Sequence, residues 1–197
     1  MEGIIVKTHP SGESDLVIRV VTDLHGKLAI FAPHARKSKR RFGTKMDVLD
    51  YGTFETKQGR GTLATLTAFN PISSFPNIRS DLDRLSSAST ILEAFDLLLP
   101  EQGQEAGETF HVLLLALKSL EKSEGTKQIL RICFMTLATL LNITGFETNQ
   151  VGGRASSNNL LKILDQIEAL AERKLFTRTA LEKILEKLKR EESLSRS

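Results

Sequence analysis

Cysteine, tryptophan, tyrosine and proline are scarce in this chain, and each scarcity closes off a class of protein. Its 197 residues include one Cys, no Trp, one Tyr and five Pro. The single cysteine, Cys133, excludes an internal disulfide and any multi-cysteine zinc site; in its apolar helical surroundings it reads as a small buried hydrophobe. No apolar run approaches the roughly 18 residues needed to cross a bilayer. The start, Met1-Glu2-Gly3-Ile4-Ile5-Val6-Lys7, lacks a basic flank followed by a long apolar stretch. A cytoplasmic chain without membrane contact is the expectation. His9, His25, His34 and His111 are scattered, and none pairs with Cys, Asp or Glu at a metal-ligand spacing. Gly59-Arg60-Gly61-Thr62 has neither the spacing nor the lysine of a phosphate-binding P-loop and reads as a turn. Glu13 and Asp15 stand two apart near a strand start, where a surface or turn-capping role fits better than acid–base work. No catalytic residue, metal or cofactor is therefore expected.

What is present is charge of one sign, concentrated. With 40% hydrophobic and 26% charged residues the chain has an ordinary globular composition, and its net charge is only +3. The distribution is uneven: residues 1–78 hold 11 Lys or Arg against 7 Asp or Glu, which leaves 16 against 17 for the remainder. The excess centres on His34-Ala35-Arg36-Lys37-Ser38-Lys39-Arg40-Arg41-Phe42-Gly43-Thr44-Lys45, which carries six Lys or Arg and no acid. Burying one unpaired ammonium costs several kcal/mol, so this segment must face solvent or an anionic partner. A polyanion-binding element and a merely solubilising loop are the two readings.

The pattern of elements changes once. Gly3–Lys7, Asp15–Thr22, Lys27–Ala32, Val48–Lys57 and Thr62–Phe69 are short and rich in β-branched residues, with turn signals at His9-Pro10-Ser11-Gly12, Asp23-Leu24-His25-Gly26 and Gln58-Gly59-Arg60-Gly61. In the third, Leu28 and Ile30 fall on one face and Lys27, Ala29 and Phe31 on the other. Leu63, Leu66 and Phe69 do not alternate, which predicts a bulge or strong twist. Five short strands of this kind predict a small closed sheet of the oligonucleotide-binding (OB) type. Pro71 and Pro76 are expected to end it. From Ser80, a candidate N-cap, apolar residues recur at three and four, from Leu82 to Leu99, Phe110 to Leu120, Ile129 to Leu141, Leu160 to Leu170 and Leu181 to Leu188. Gly145 ends the third of these helices. Thr148 to Asn159 reads as a loop. The fold class is thus α+β: an OB barrel over residues 1–78, then a helical bundle over 79–197.

Gly12-Glu13-Ser14-Asp15, then Thr22-Asp23-Leu24-His25-Gly26-Lys27-Leu28, then Ala35 to Gly43, in that order and spacing, resemble the bacterial DNA repair and recombination protein RecO family. Phe75-Pro76-Asn77-Ile78-Arg79-Ser80-Asp81-Leu82-Asp83-Arg84-Leu85 and Thr144-Gly145-Phe146 are similar to it as well. The resemblance implies an OB-fold followed by helices, in a nucleoid-associated mediator that is not an enzyme. Such a protein binds single- and double-stranded DNA, anneals complementary strands and, with RecR, helps load RecA on DNA covered by single-strand-binding protein. Many members also carry a four-cysteine zinc module after the third helix. Here the corresponding loop has no cysteine, so zinc is not expected.

Lys and Arg neutralise phosphates without regard to sequence, and OB-folds bind strands across a sheet face and its loops. The expected DNA-binding set is Lys27, Arg36, Lys37, Lys39, Arg40, Arg41, Lys45 and Arg60. Phe42 either stacks on a base or anchors the loop. With 6% aromatic residues, binding should be mostly electrostatic. For the acidic, apolar tail by which the family grips single-strand-binding protein, the third helix offers Lys127 and Arg131, one turn apart beside Ile129, Leu130, Cys133 and Phe134; a solvated helix edge is the alternative. Two other functions stay open: an RNA-binding OB module, and a protein-interaction adaptor whose bundle does the work.

Overall fold

The computed structural model describes residues 1–36, 46–58, 63–101, 106–146 and 155–194. Its first part is the expected closed barrel of five strands: β1 (Glu2–Ser11), β2 (Asp15–Thr22), β3 (Gly26–Ala32), β4 (Tyr51–Lys57) and β5 (Ala64–Ser73). The order around the barrel is β1-β2-β3-β5-β4, with β4 pairing back onto β1. Among the five described strands only the β3–β5 pairing is parallel. Alternate residues fill the interior: Leu16, Ile18 and Val20 of β2 meet Ile30 and Ala32 of β3, with the rings of Phe54 and Phe69 tilted against each other at 4.8 Å between centres. The β2–β3 turn is closed by Thr22, whose hydroxyl donates to the Gly26 carbonyl at 2.9 Å and accepts from the His25 amide at 3.0 Å. Gly26 takes a φ of +66° there, which a side chain would resist.

Of the two prolines expected to end the sheet, Pro76 opens the helix that follows it, but Pro71 lies inside β5 and pairs with Gly52 beside a register shift between Tyr51 and Gly52. Pro10, expected in a turn, pairs with Leu16 near the free end of β1. A strand end and a bulge are where a missing N–H is tolerated, so the strands run on to Ser11 and Ser73. The predicted bulge in the last strand is present: Glu55 pairs with Ala68 but Thr56 with Leu66, and the extra residue, Thr67, hydrogen-bonds through its hydroxyl to the Glu55 carbonyl at 2.9 Å.

The helices are α1 (Pro76–Ser80), α2 (Leu82–Leu98), α3 (Ala106–Glu121), α4 (Gly125–Ile143), α5 (Ser157–Leu170) and α6 (Arg178–Leu194). The N-cap of α2 is Asp81 rather than Ser80: its carboxylate accepts from the Arg84 amide at 2.8 Å, while the Ser80 hydroxyl turns back to the Asn77 carbonyl. Leu82, counted in the apolar stripe, is 76% exposed. Gly145, at φ +83°, ends α4 as expected, with the Phe146 amide reaching back to the Leu141 carbonyl at 2.9 Å.

The chain divides into two compact units, Met1–Phe75 with Leu99–Leu114, and Pro76–Leu98 with Leu115–Ser197. In the first unit Phe110 of α3 sits 6.3 Å from the ring of Tyr51, and Tyr51 hydrogen-bonds to Glu2; burial first, then Glu2, pushes the Tyr51 phenol up to about 12. In the second, Phe95 of α2, Leu137 of α4 and Leu164 of α5 are fully buried. Among the described residues no helix is long and apolar enough to cross a membrane, and no group of three or more His, Cys, Asp or Glu is placed to hold a metal ion.

Candidate functional site

Two sites follow from the charged residues, one in each unit. In the barrel unit the basic segment leaves from the end of β3, and its first residues are fastened to the β1–β2 turn. The Arg36 amide donates to the Ser14 carbonyl at 2.9 Å, and its guanidinium reaches the carbonyls of Gly12 at 3.4 Å and Glu13 at 3.5 Å. The His34 amide donates to the Asp15 carboxylate at 2.7 Å, with the His34 ring 3.4 Å from the Ser14 hydroxyl. Glu13 thus sits in the β1–β2 turn and Asp15, the first residue of β2, caps the loop at His34, the capping role expected of this pair. His34 holds a φ of +60°, which this capping sustains. The segment rejoins the barrel at Met46, which is 2% exposed in the core. Arg36 itself is exposed, and among the described residues the groups that its guanidinium reaches are neutral carbonyls.

Of the other residues expected to meet DNA, Lys37, Lys39, Arg40, Arg41, Lys45 and Arg60 lie outside the described residues, as does Phe42. Lys27 is a correction. The residue is only 6% exposed and its backbone forms a parallel β-bridge with Glu101, so it is not one of the surface cations. The alternation of β3 separates Lys27 from Leu28 and Ile30 but says nothing of what packs against either face. Lys57, at the end of β4, is exposed and was not among the expected residues.

In the helical unit Lys127, Leu130, Arg131 and Phe134 fall on one face of α4 and line a groove of about 460 Å³. Its other walls are Ser156 to Asn158 at the start of α5, with Leu160, and Leu185, Leu188 and Lys189 of α6. Leu130, Phe134, Leu160 and Leu185 form a buried apolar floor. Lys127, Arg131 and Lys189 are exposed at the rim, and among the described residues no Asp or Glu lines the groove. Ile129 and Cys133 do not line it; they turn into the core. The Ser156 hydroxyl accepts from the Asn159 amide at 3.2 Å and caps α5, whose positive end opens here. Lys189 was not anticipated: its sequence context is an ordinary charged helix face, and only packing of α6 brings it opposite Arg131's wall.

The barrel matches the family described as recombination protein O N terminal over residues 1–75. The chain is similar to proteins named DNA repair protein RecO from Pelobacter propionicus (30% identical over 146 residues, 74% of this chain and 58% of that one) and Syntrophus aciditrophicus (33% over 132 residues, 66% and 50%). A RecO from Geobacter sulfurreducens is 30% identical over 145 residues, 74% and 58%. The chain spans between half and six tenths of the length of these relatives. The five-stranded barrel is thus the part of the chain that matches the recombination protein O family.

Proposed function

We propose that this chain binds single- and double-stranded DNA without sequence preference and acts in DNA repair and recombination by binding, not by catalysis. The observation that carries the reading is the position of the basic segment: it leaves an OB-type barrel at Arg36, beside the β1–β2 turn, and rejoins it at Met46. Loops at that end of an OB barrel are where strands pass in folds of this kind. Arg36, Lys37, Lys39, Arg40, Arg41 and Lys45 carry the phosphate contacts, with Arg60 on the β4–β5 connection; Lys27 is left out because it is buried. Zinc plays no part. Equilibrium binding of labelled single-stranded and duplex DNA at stepped salt, with RNA of the same sequence as competitor, tests this. Binding to both DNA forms that weakens steeply with salt is expected; preference for RNA would favour an RNA-binding module instead.

The sequence resemblance to the RecO family extends the proposal to a mediator that anneals strands and cooperates with RecR to load RecA. The groove of α4, α5 and α6 suits the acidic, apolar carboxyl-terminal tail of single-strand-binding protein: an apolar floor for a ring, and three cations with a helix N-terminus for carboxylates. A Lys127→Glu, Arg131→Glu double variant should lose binding of a labelled acidic tail peptide and keep its DNA affinity. Unchanged peptide binding would remove the groove from the account.

A further inference from the structure

The phosphate-binding reading leaves open how the barrel could tell one strand from two, and its outer surface bears on that. Strand register places one residue from each strand in a single row: His9 beside Val17, Val17 beside Phe31, Phe31 beside Thr65 and Thr65 beside Lys57. Row neighbours share a face. That face is the exterior, because Leu16 and Ile18 on either side of Val17, Ile30 and Ala32 on either side of Phe31, and Leu66 next to Thr65 all belong to the core, and no member of the row does. The row therefore crosses the whole barrel on its outside. Phe31, its one aromatic, stands at the centre and is half-buried, between the short side chains of Val17 and Thr65. His9 and Lys57 at the two ends are exposed. The adjoining row sets Lys7 and Arg19 beside Ala29. The row itself holds no acid; the exposed Glu55 lies two residues from Lys57, and Asp15 is engaged by the His34 amide.

We propose that this row is the path of a single strand of DNA across the barrel and that Phe31 stacks on one of its bases. The inference rests on the DNA-binding reading and deepens it. Cations meet phosphates of one strand or two alike, whereas a ring can stack only on a base that is not already paired and stacked. Phe31 thus supplies a preference for single strands that the basic segment cannot.

The chain has no tryptophan, so Phe31→Trp puts a unique fluorophore on the row. Titration with oligo(dT) should quench its emission, and duplex DNA of matched charge should leave it unchanged. Phe31→Leu keeps the apolar contact and removes the ring. It should weaken oligo(dT) binding about 5- to 150-fold, the equivalent of roughly 1–3 kcal/mol for one stacked base, with duplex binding and thermal midpoint unchanged. If the unaltered protein binds oligo(dT) and Phe31→Leu binds it equally well, the stacking role is overturned and the phosphate reading survives. An equal loss on both DNA forms with a lowered midpoint would make Phe31 a packing residue and also overturn it. Absence of DNA binding by the unaltered protein would overturn both.

Discussion

With its sulfur fully buried in the helical unit, Cys133 has its thiol pushed up to about 12 by loss of solvent, so the reactive thiolate is nearly absent at neutral pH. A disulfide-exchange reagent at pH 8 should leave Cys133 untouched in the folded protein and react once denaturant is added; rapid labelling of the native state would contradict this. The residue's role was legible from one feature, a lone cysteine in an apolar helical stripe. Gly52 was not legible. A Cβ at Gly52 would meet the backbone of Asn70 on the neighbouring strand and lie 2.7 Å from the Phe69 ring. Gly52→Ala should destabilise the barrel by about 1–3 kcal/mol, measured as a lower denaturation midpoint, because neither the backbone nor a packed core ring can yield freely. The sequence shows a glycine in a strand, but which atoms press on it depends on the register of β4 against β5.

At the scale of elements, the link between α5 and α6 turns on one buried carboxylate. Glu168 accepts from Lys174 at 2.7 Å, from the Leu175 amide at 3.0 Å and from Arg178 at 2.9 Å. Burial alone would raise its carboxyl, but these hydrogen bonds and the Arg178 charge outweigh it and hold it below the usual range. A carboxyl depressed in the folded state contributes stability above its unfolded value of about 4.3, and that contribution is lost as pH falls through the folded value. Glu168→Gln should therefore be less stable than the parent at pH 7, and the gap in unfolding midpoint should narrow as pH drops below about 4; a constant gap would show that the charge is not the cause. The helices and strands themselves were largely readable, since periods of two and of three to four are local signals. The errors were local competitions as well. Pro10 read as a turn residue and Pro71 as a breaker, but they lie at a strand end and a bulge, and the cap expected at Ser80 falls one residue later, at Asp81.

For the whole molecule, the candidate sites were readable to the extent that they are runs in the chain. The basic segment is one uninterrupted stretch, and Lys127 and Arg131 share a helix face, so both could be found by counting. Lys189, Lys57 and the burial of Lys27 depend on which elements meet in space and could not. The central claim is that the segment beginning at Arg36 neutralises DNA phosphates. Its most direct test is the slope of log K against log salt for single-stranded DNA, compared between the natural chain and one with Arg36, Lys37, Lys39, Arg40 and Arg41 all changed to Ala. Each phosphate neutralised on a single strand contributes a slope of about 0.7, so the five substitutions should flatten the dependence by about 3 to 4, with the thermal midpoint little changed. An unchanged slope in a folded variant would contradict the account.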